Sequence, residues 1–258
     1  MNYEEILCTS EGAVGILTLN QPARVNALSR RMIAEICDAL ERTAADETLK
    51  VLVIRAAGDN FCAGHNLKEM VGGGVKVYKA IFDRCSEMMQ RLHTIPQPVI
   101  AQVQGVATAA GCQLAAWCDL VVASEDARFS TPGVKIGLFC TTPMVAISRA
   151  IGRKAALEML LTGRDFPAAE AKALGLINRV VPREVLEAET LALARQIAGA
   201  SRLVLAIGKQ GFYDQVDQAD GPALNYAKHT IALNLGAVDA QEGIRAYLEK
   251  RTPEWKDC

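Results

Sequence analysis

The segment Gly105-Val-Ala-Thr-Ala-Ala-Gly-Cys-Gln-Leu-Ala115 holds the residues best placed to do chemistry. It follows the apolar stretch Pro98–Val103 and passes through small residues into a helix expected to open near Gly111. The first turn of a helix leaves backbone N–H groups without an internal partner, and these can hold an oxyanion. The same small residues also suit a plain structural role, close packing of a helix on a strand. Two positions after Gly111 stands Gln113, whose amide orients a water or a carbonyl but takes no proton near neutral pH. A second small-residue corner is Ala63-Gly64-His65. His65 reads first as a cap or a ligand contact and second as a general base. His93, before Ile-Pro, and His229, on a late helix, read as structural. Cys140 has no histidine adjacent in sequence to activate it, which disfavours it as a nucleophile. Asp119 and Asp126 read as cap or turn residues, and Met88-Met89 as core filler. Gly72–Gly74 lacks the strand–GxGxxG–helix context of a dinucleotide fingerprint. The sequence carries no phosphate-binding loop and no spaced set of metal ligands.

The elements that must position these residues alternate between strand and helix. Ala13–Leu19 reads as a strand, and Ser29 caps a helix running to about Ala45, with Met32, Ile33, Ile36 and Leu40 on one face. Val51–Ala56 is continuously apolar, as a strand buried on both faces would be. The loop Gly58–Gly64 leads to a helix start. Val71-Gly-Gly-Gly74 is the best candidate for a mobile loop, and Lys76–Leu92 is a helix ended by Ile95-Pro-Gln-Pro98. Strand Val99–Val103, helix Gly111–Trp117 and strand Leu120–Ala123 follow. This alternation predicts α/β layers with parallel strands. Beyond about Pro143 the pattern is mostly helical, with only Leu176–Val181 extended. The expected organisation is an α/β core over 1–200 and a C-terminal helical region over 201–258.

With 258 residues, half of them apolar and 22% charged, the chain can bury a full core. A net charge of −1 disfavours nucleic acid as a partner. Cys8, Cys37, Cys62, Cys85, Cys112, Cys118, Cys140 and Cys258 form no CxxC pair and read as free thiols in a reducing cytoplasm. The start Met1-Asn-Tyr-Glu-Glu5 is acidic and has no apolar core, so no targeting peptide is expected there. No apolar run approaches the ~18 residues of a membrane span.

Three segments taken in order, Asn20-Gln-Pro-Ala-Arg-Val-Asn-Ala-Leu-Ser29, Phe61-Cys-Ala-Gly-His-Asn-Leu-Lys68 and Gly105–Ala115 with Trp117-Cys-Asp119, resemble the crotonase (enoyl-CoA hydratase/isomerase) superfamily. The likeness extends through Leu161-Thr-Gly163, Ala171–Asn178 and Glu242–Arg251. Ala107–Leu114 and Thr131–Pro143 are similar to one branch within it. The resemblance implies a spiral of ββα units with C-terminal helices, assembled as a homotrimer or homohexamer. It also implies a substrate held as a coenzyme A thioester, with no permanently bound cofactor and neither nucleic acid nor membrane as partner. Its chemistry passes through an enolate held by two backbone N–H groups. By the family pattern these belong to His65 and Ala110, where Ala109 and Ala110 replace the usual glycines. The coenzyme contacts fall on Arg24, on Ala63, Gly64, His65, Asn66, Leu67 and Lys68, and on Gly111; Lys68 also suits a solvated helix side chain. The two glutamates that hydratases use fall on Gln113 and Gly133, and neither residue titrates. Ordinary hydration is therefore expected to be weak. Decarboxylation, thioester hydrolysis with a Gln113-oriented water, silent acyl-CoA binding and an RNA-associated scaffold are the alternatives.

Overall fold

A computed structural model of the chain describes residues 3–258. Met1 and Asn2, which open the stretch read above as lacking a targeting peptide, lie outside the described residues. The chain begins with β1 (Ile6–Glu11), β2 (Val14–Leu19), α1 (Arg30–Ala45), β3 (Val51–Ala56), α2 (Val75–Thr94), β4 (Val99–Val103), β5 (Val106–Thr108) and α3 (Ala110–Trp117). It continues with β6 (Leu120–Ser124), β7 (Arg128–Ser130), α4 (Thr141–Ala150), α5 (Arg153–Thr162), β8 (Phe166–Pro167), α6 (Ala168–Leu174) and β9 (Arg179–Val181). Four helices close it: α7 (Leu186–Ala198), α8 (Arg202–Gln215), α9 (Asp220–Leu235) and α10 (Val238–Glu249).

The main sheet has the order β1-β2-β3-β4-β6-β9. Its members from β2 onward pair in parallel, as the strand–helix alternation requires, and only β1 is antiparallel. β1 went unread in the sequence because a single residue, Ile6, is buried; the rest of this edge strand faces solvent and shows no apolar alternation. The extended stretch expected over Leu176–Val181 is shorter than its apolar pattern. Leu176 and Ile177 are core residues of a turn, and only Arg179–Val181 joins the sheet. A smaller sheet, β5-β7-β8, stands apart from the first.

Each face of the main sheet has its own apolar layer. Ile16, Val51, Val53, Ile100 and Val122 pack against Leu186, Leu191 and Ala194 of α7. Leu17, Leu19, Leu52 and Ile54 pack on the other side with Ile33, Ile36 and Leu40 of α1, Met88 and Met89 of α2, and Leu114 of α3. Covered on both sides, β3 shows no alternation: five of its six residues are buried. Ser29 caps α1 by accepting from the Met32 N–H at 2.9 Å, while its own hydroxyl bonds the buried Glu5 carboxylate. Among the described residues no single helix is long and apolar enough to cross a membrane.

Candidate active site

The three motif segments lie side by side. Phe61–Gly64 runs along β5: Phe61 N–H donates to Gln104 O (2.9 Å), Cys62 N–H to Val106 O (3.0 Å) and Thr108 N–H to Cys62 O (2.9 Å). From the other side Ala63 N–H donates to Val25 O (2.9 Å), Leu28 N–H to Gly64 O (2.7 Å) and Asn66 N–H to Leu28 O (3.0 Å). Fully buried Asn26 fixes the Pro22–Asn26 turn, because its amide donates to Ala57 O and Asn60 O, both at 2.9 Å.

This weave sets two backbone N–H groups free. Among the described residues, neither the His65 nor the Ala110 N–H has a hydrogen-bond partner. Their loops touch: a Cβ built on Gly64 would lie 2.9 Å from Ala109 Cβ, 3.0 Å from Thr108 O and 3.1 Å from Ala110 N. Gly64 has φ +87°, so glycine serves both the left-handed turn and the close approach. Ala109 carries the strain on the opposing side, with φ 50° and ψ −120°, a region L-residues seldom occupy. It is pinned there by its N–H to Ser130 O (2.9 Å) and by its carbonyl, which accepts from Gln113 N–H (3.0 Å). That conformation starts α3 at Ala110, one residue before the Gly111 start expected from sequence, and makes the Ala110 N–H the first of the helix. Gly111 lies so close to the other loop that a Cβ there would sit 2.2 Å from Cys62 O.

Two uncharged polar side chains belong to the segments that carry these donors, Gln113 and His65. Gln113 is 4% exposed, and its Oε1 is buried with no partner. The His65 ring meets Phe82 of α2 edge-on at 5.2 Å, and neither ring nitrogen has a partner. Burial pushes the His65 pKa down to about 4 against a weak opposing pull from Glu69, so the ring is neutral at pH 7. Gly133 is buried in the short helical turn Pro132–Ile136; a Cβ there would lie 2.8 Å from both Cys140 Sγ and Leu138 O. Burial raises the Cys140 thiol's pKa and pushes those of Cys62 and Cys112 to about 12, which leaves none of them poised as a nucleophile.

Among the coenzyme contacts expected from the resemblance, Arg24 and Lys68 are exposed, and neither forms an ion pair among the described residues. Asn66 caps the Leu67–Glu69 turn by accepting from Lys68 N–H at 3.2 Å. No cluster of His, Cys, Asp and Glu able to hold a metal occurs among the described residues.

Asp119 does more than cap a turn. Its carboxylate accepts from Val99 N–H (2.6 Å) and Tyr213 OH (2.7 Å) and pairs with the buried Lys209 ammonium at 2.8 Å. Lys209 also donates to Leu92 O and Gln97 O. Sequence reading missed Lys209 because nothing in the surrounding α8 pattern separates it from a surface lysine. His93 stacks between Tyr213 and Trp117, with centroids 3.8 Å and 4.8 Å away. His93, Trp117, Asp119 and Tyr213 border a cavity of about 820 Å³ between α3, α4 and α8.

A sequence model of the enoyl-CoA hydratase/isomerase family matches residues 9–258. The mitochondrial enoyl-CoA hydratase domain-containing protein 3 of Mus musculus is 47% identical over 240 residues, 93% of this chain and 80% of the relative. A crystal structure of human enoyl Coenzyme A hydratase domain-containing protein 3 superposes with TM-score 0.96 at 43% identity, covering 98% of this chain and all of the other. A Mycobacterium smegmatis enoyl-CoA hydratase structure gives TM-score 0.96 at 46% identity, covering 98% of this chain and 99% of the other. Several similar vertebrate proteins are named mitochondrial, which overturns the cytoplasmic location expected from the cysteines. Free thiols mark a reducing compartment, and that property does not separate the cytosol from the mitochondrial matrix.

Proposed function

The chain belongs to the enoyl-CoA hydratase/isomerase family, and from that premise we propose that it is a coenzyme A thioester enzyme that stabilises an enolate but hydrates enoyl thioesters poorly. The observation that carries this reading is the pair of unbonded N–H groups at His65 and Ala110, in a wall whose family glutamate positions are Gln113 and Gly133. A thioester oxygen seated between the donors gains negative charge as bonds at its α-carbon change. Donors already fixed in place stabilise that charge without reorganising, at ~10²–10³ in rate for each such group. Hydration needs more. One group must take a proton from water and another must supply one at the α-carbon, each worth about 10²–10⁴. Gln113 and Gly133 do neither. The depressed pKa of His65 makes its ring a feeble base. Exposed Arg24 and Lys68 are the cations assigned to the coenzyme phosphates, with Ala63 to Lys68 along the adenine and pantetheine.

The test is turnover of crotonyl-CoA by the purified chain, alongside binding of the non-reacting butyryl-CoA. Butyryl-CoA binding with crotonyl-CoA turnover far below the common enzyme range of ~1–10³ s⁻¹ supports the proposal. Turnover within that range refutes the assignment of Gln113 and Gly133. Failure of every thioester to bind refutes the thioester reading itself.

A further inference from the structure

We propose that His93 and Lys209 are positioning residues for the thioester site: they anchor the far end of α3 and, through that helix, fix where the Ala110 N–H stands. The inference rests on the thioester reading above and assigns the geometry of that same site to groups outside it.

α3 is short, about 12 Å from end to end, and its two ends have different duties. Its first N–H, that of Ala110, is the donor. Its last carbonyl, that of Trp117, is one of those a helix leaves without an internal partner. His93 Nε2 donates to this carbonyl at 3.0 Å, while the His93 ring stacks between Trp117 and Tyr213. Just beyond the helix, the Asp119 carboxylate accepts from Val99 N–H, Tyr213 OH and the Lys209 ammonium. Lys209 also donates to Leu92 O at 2.6 Å and to Gln97 O at 2.8 Å. The tail of α3 is thereby tied to the end of α2, the start of β4 and α8.

α2 links the two donors mechanically. Phe82 meets the His65 ring edge-on at 5.2 Å, and His93 lies roughly 16 Å further along the same helix. One helix therefore touches both the residue of the first donor and the far end of the helix that carries the second. At the site the loops resist being pushed closer, since a Cβ on Gly111 would already sit 2.2 Å from Cys62 O. Withdrawal of α3 is opposed near the site by the bond from Ala109 N–H to Ser130 O (2.9 Å), and at the other end by the anchor. The tolerance is small, because a hydrogen bond to one shared oxygen needs roughly 2.7–3.2 Å. The chemistry of the anchor suits precision better than stability. Apolar side chains of similar volume often hold a fold as well as a buried ion pair does. What the pair adds is direction: the Lys209 side chain is 5% exposed, and its ammonium is aimed at oxygens on three separate segments.

The experiment binds butyryl-CoA carrying carbon-13 at its thioester carbonyl to the full chain and reads the carbonyl stretch by isotope-edited infrared spectroscopy. In wild type the two N–H donors should lower that stretch relative to the free ligand. Three variants are compared: His93→Phe, which keeps a ring in the stack but loses the donor; His93→Gln, which keeps a donor; and Lys209→Met with Asp119→Asn, which removes both charges together. His93→Phe and the double variant should move the bound stretch back toward the free value. They should also lower the butyryl-CoA to coenzyme A affinity ratio by about two- to tenfold, as expected for one weakened hydrogen bond. His93→Gln should recover part of both. An anchor that serves stability alone would lower the urea midpoint and leave stretch and ratio as in wild type; that result overturns the inference while the thioester reading stands. If the double variant does not fold, His93→Phe decides by the same two readouts. If wild type binds butyryl-CoA with an unshifted carbonyl, or does not bind it, the donor assignment or the thioester reading fails first and this inference falls with it.

Discussion

Replacing Gly64 by Ala strikes the contact that sets the two donors. The new methyl meets two separate penalties. At φ +87° an L-residue pays for the left-handed backbone, about 1–2 kcal/mol. Its Cβ also overlaps Ala109 Cβ, Thr108 O and Ala110 N at 2.9–3.1 Å, and overpacking of that kind adds about 1–3 kcal/mol. The expected loss of stability is therefore about 2–5 kcal/mol. Gly12→Ala is the control: it has φ +58° in the β1–β2 turn, and nothing lies within 4 Å of its Cβ. It should lose only the backbone part, about 1–2 kcal/mol. Urea denaturation of wild type and both variants gives the difference. Function separates them further, because relief of the overlap must move the Gly64 loop away from Ala110 and so part the His65 and Ala110 N–H groups. Affinity for butyryl-CoA should fall in Gly64→Ala relative to free coenzyme A, which has no acyl oxygen, and should be unchanged in Gly12→Ala. Equal destabilisation by the two substitutions, with the butyryl-CoA to coenzyme A affinity ratio intact in Gly64→Ala, would falsify the packing argument and the donor assignment with it.

Gln113→Glu supplies one titrating group and should raise crotonyl-CoA hydration by up to about 10²–10⁴, measured as loss of the conjugated thioester absorbance. Gly133→Glu should give no further gain and should destabilise the fold, since its Cβ would lie 2.8 Å from Leu138 O and Cys140 Sγ; a double variant faster than Gln113→Glu would contradict this. Stability should be flat above about pH 6.5 and decline as pH falls toward 4, because His65 and His93 take up protons in the unfolded chain near 6.5 but, when folded, only near 4. The displacement corresponds to about 3 kcal/mol for His65, and thermal midpoints that stay level across pH 4–6.5 in a His65→Phe and wild-type pair would count against it. The exposed Phe212, Leu224, Ile231 and Leu235 of α8 and α9 should be covered by neighbouring copies of the chain; sedimentation showing only monomer at micromolar concentration would rule that out.

The periodicity of α1 and α2 and the unbroken apolar run of β3 were legible in sequence because burial dictates residue type at each of their positions. β1 was not, since an edge strand with one buried residue imposes no pattern. At the site, the family resemblance pointed to Gly64, Ala110 and Gln113, but not to the means by which they meet. The crossing of Phe61–Gly64 with β5 is made by backbone hydrogen bonds, which leave no mark on side-chain identity. The strained Ala109 was likewise hidden, because alanine at a glycine-like φ reads as an ordinary helix former. The His65 ring meets Phe82, on a helix that begins ten residues after it, and short-range spacing carries no sign of that contact. Lys209 was missed for the same reason, its carboxylate partner lying 90 positions earlier.

That separation has a consequence for synthesis on the ribosome, where chains emerge from the N-terminus at about 5–20 residues per second. The core strands β4 and β6 and helix α3 are complete well before α8 leaves the exit tunnel. Until it does, the half-buried Asp119 carboxylate lacks its Lys209 partner. A growing chain that buried this position early would pay for an unpaired charge, so docking of α2, β4 and α3 around it should wait for Lys209. The Lys50–Asp257 pair, at 2.9 Å, extends the same logic to the final residues. Translational pauses in the last fifth of the message should therefore prolong an unfinished, chaperone-accessible core, whereas pauses earlier in the message should have little effect on yield.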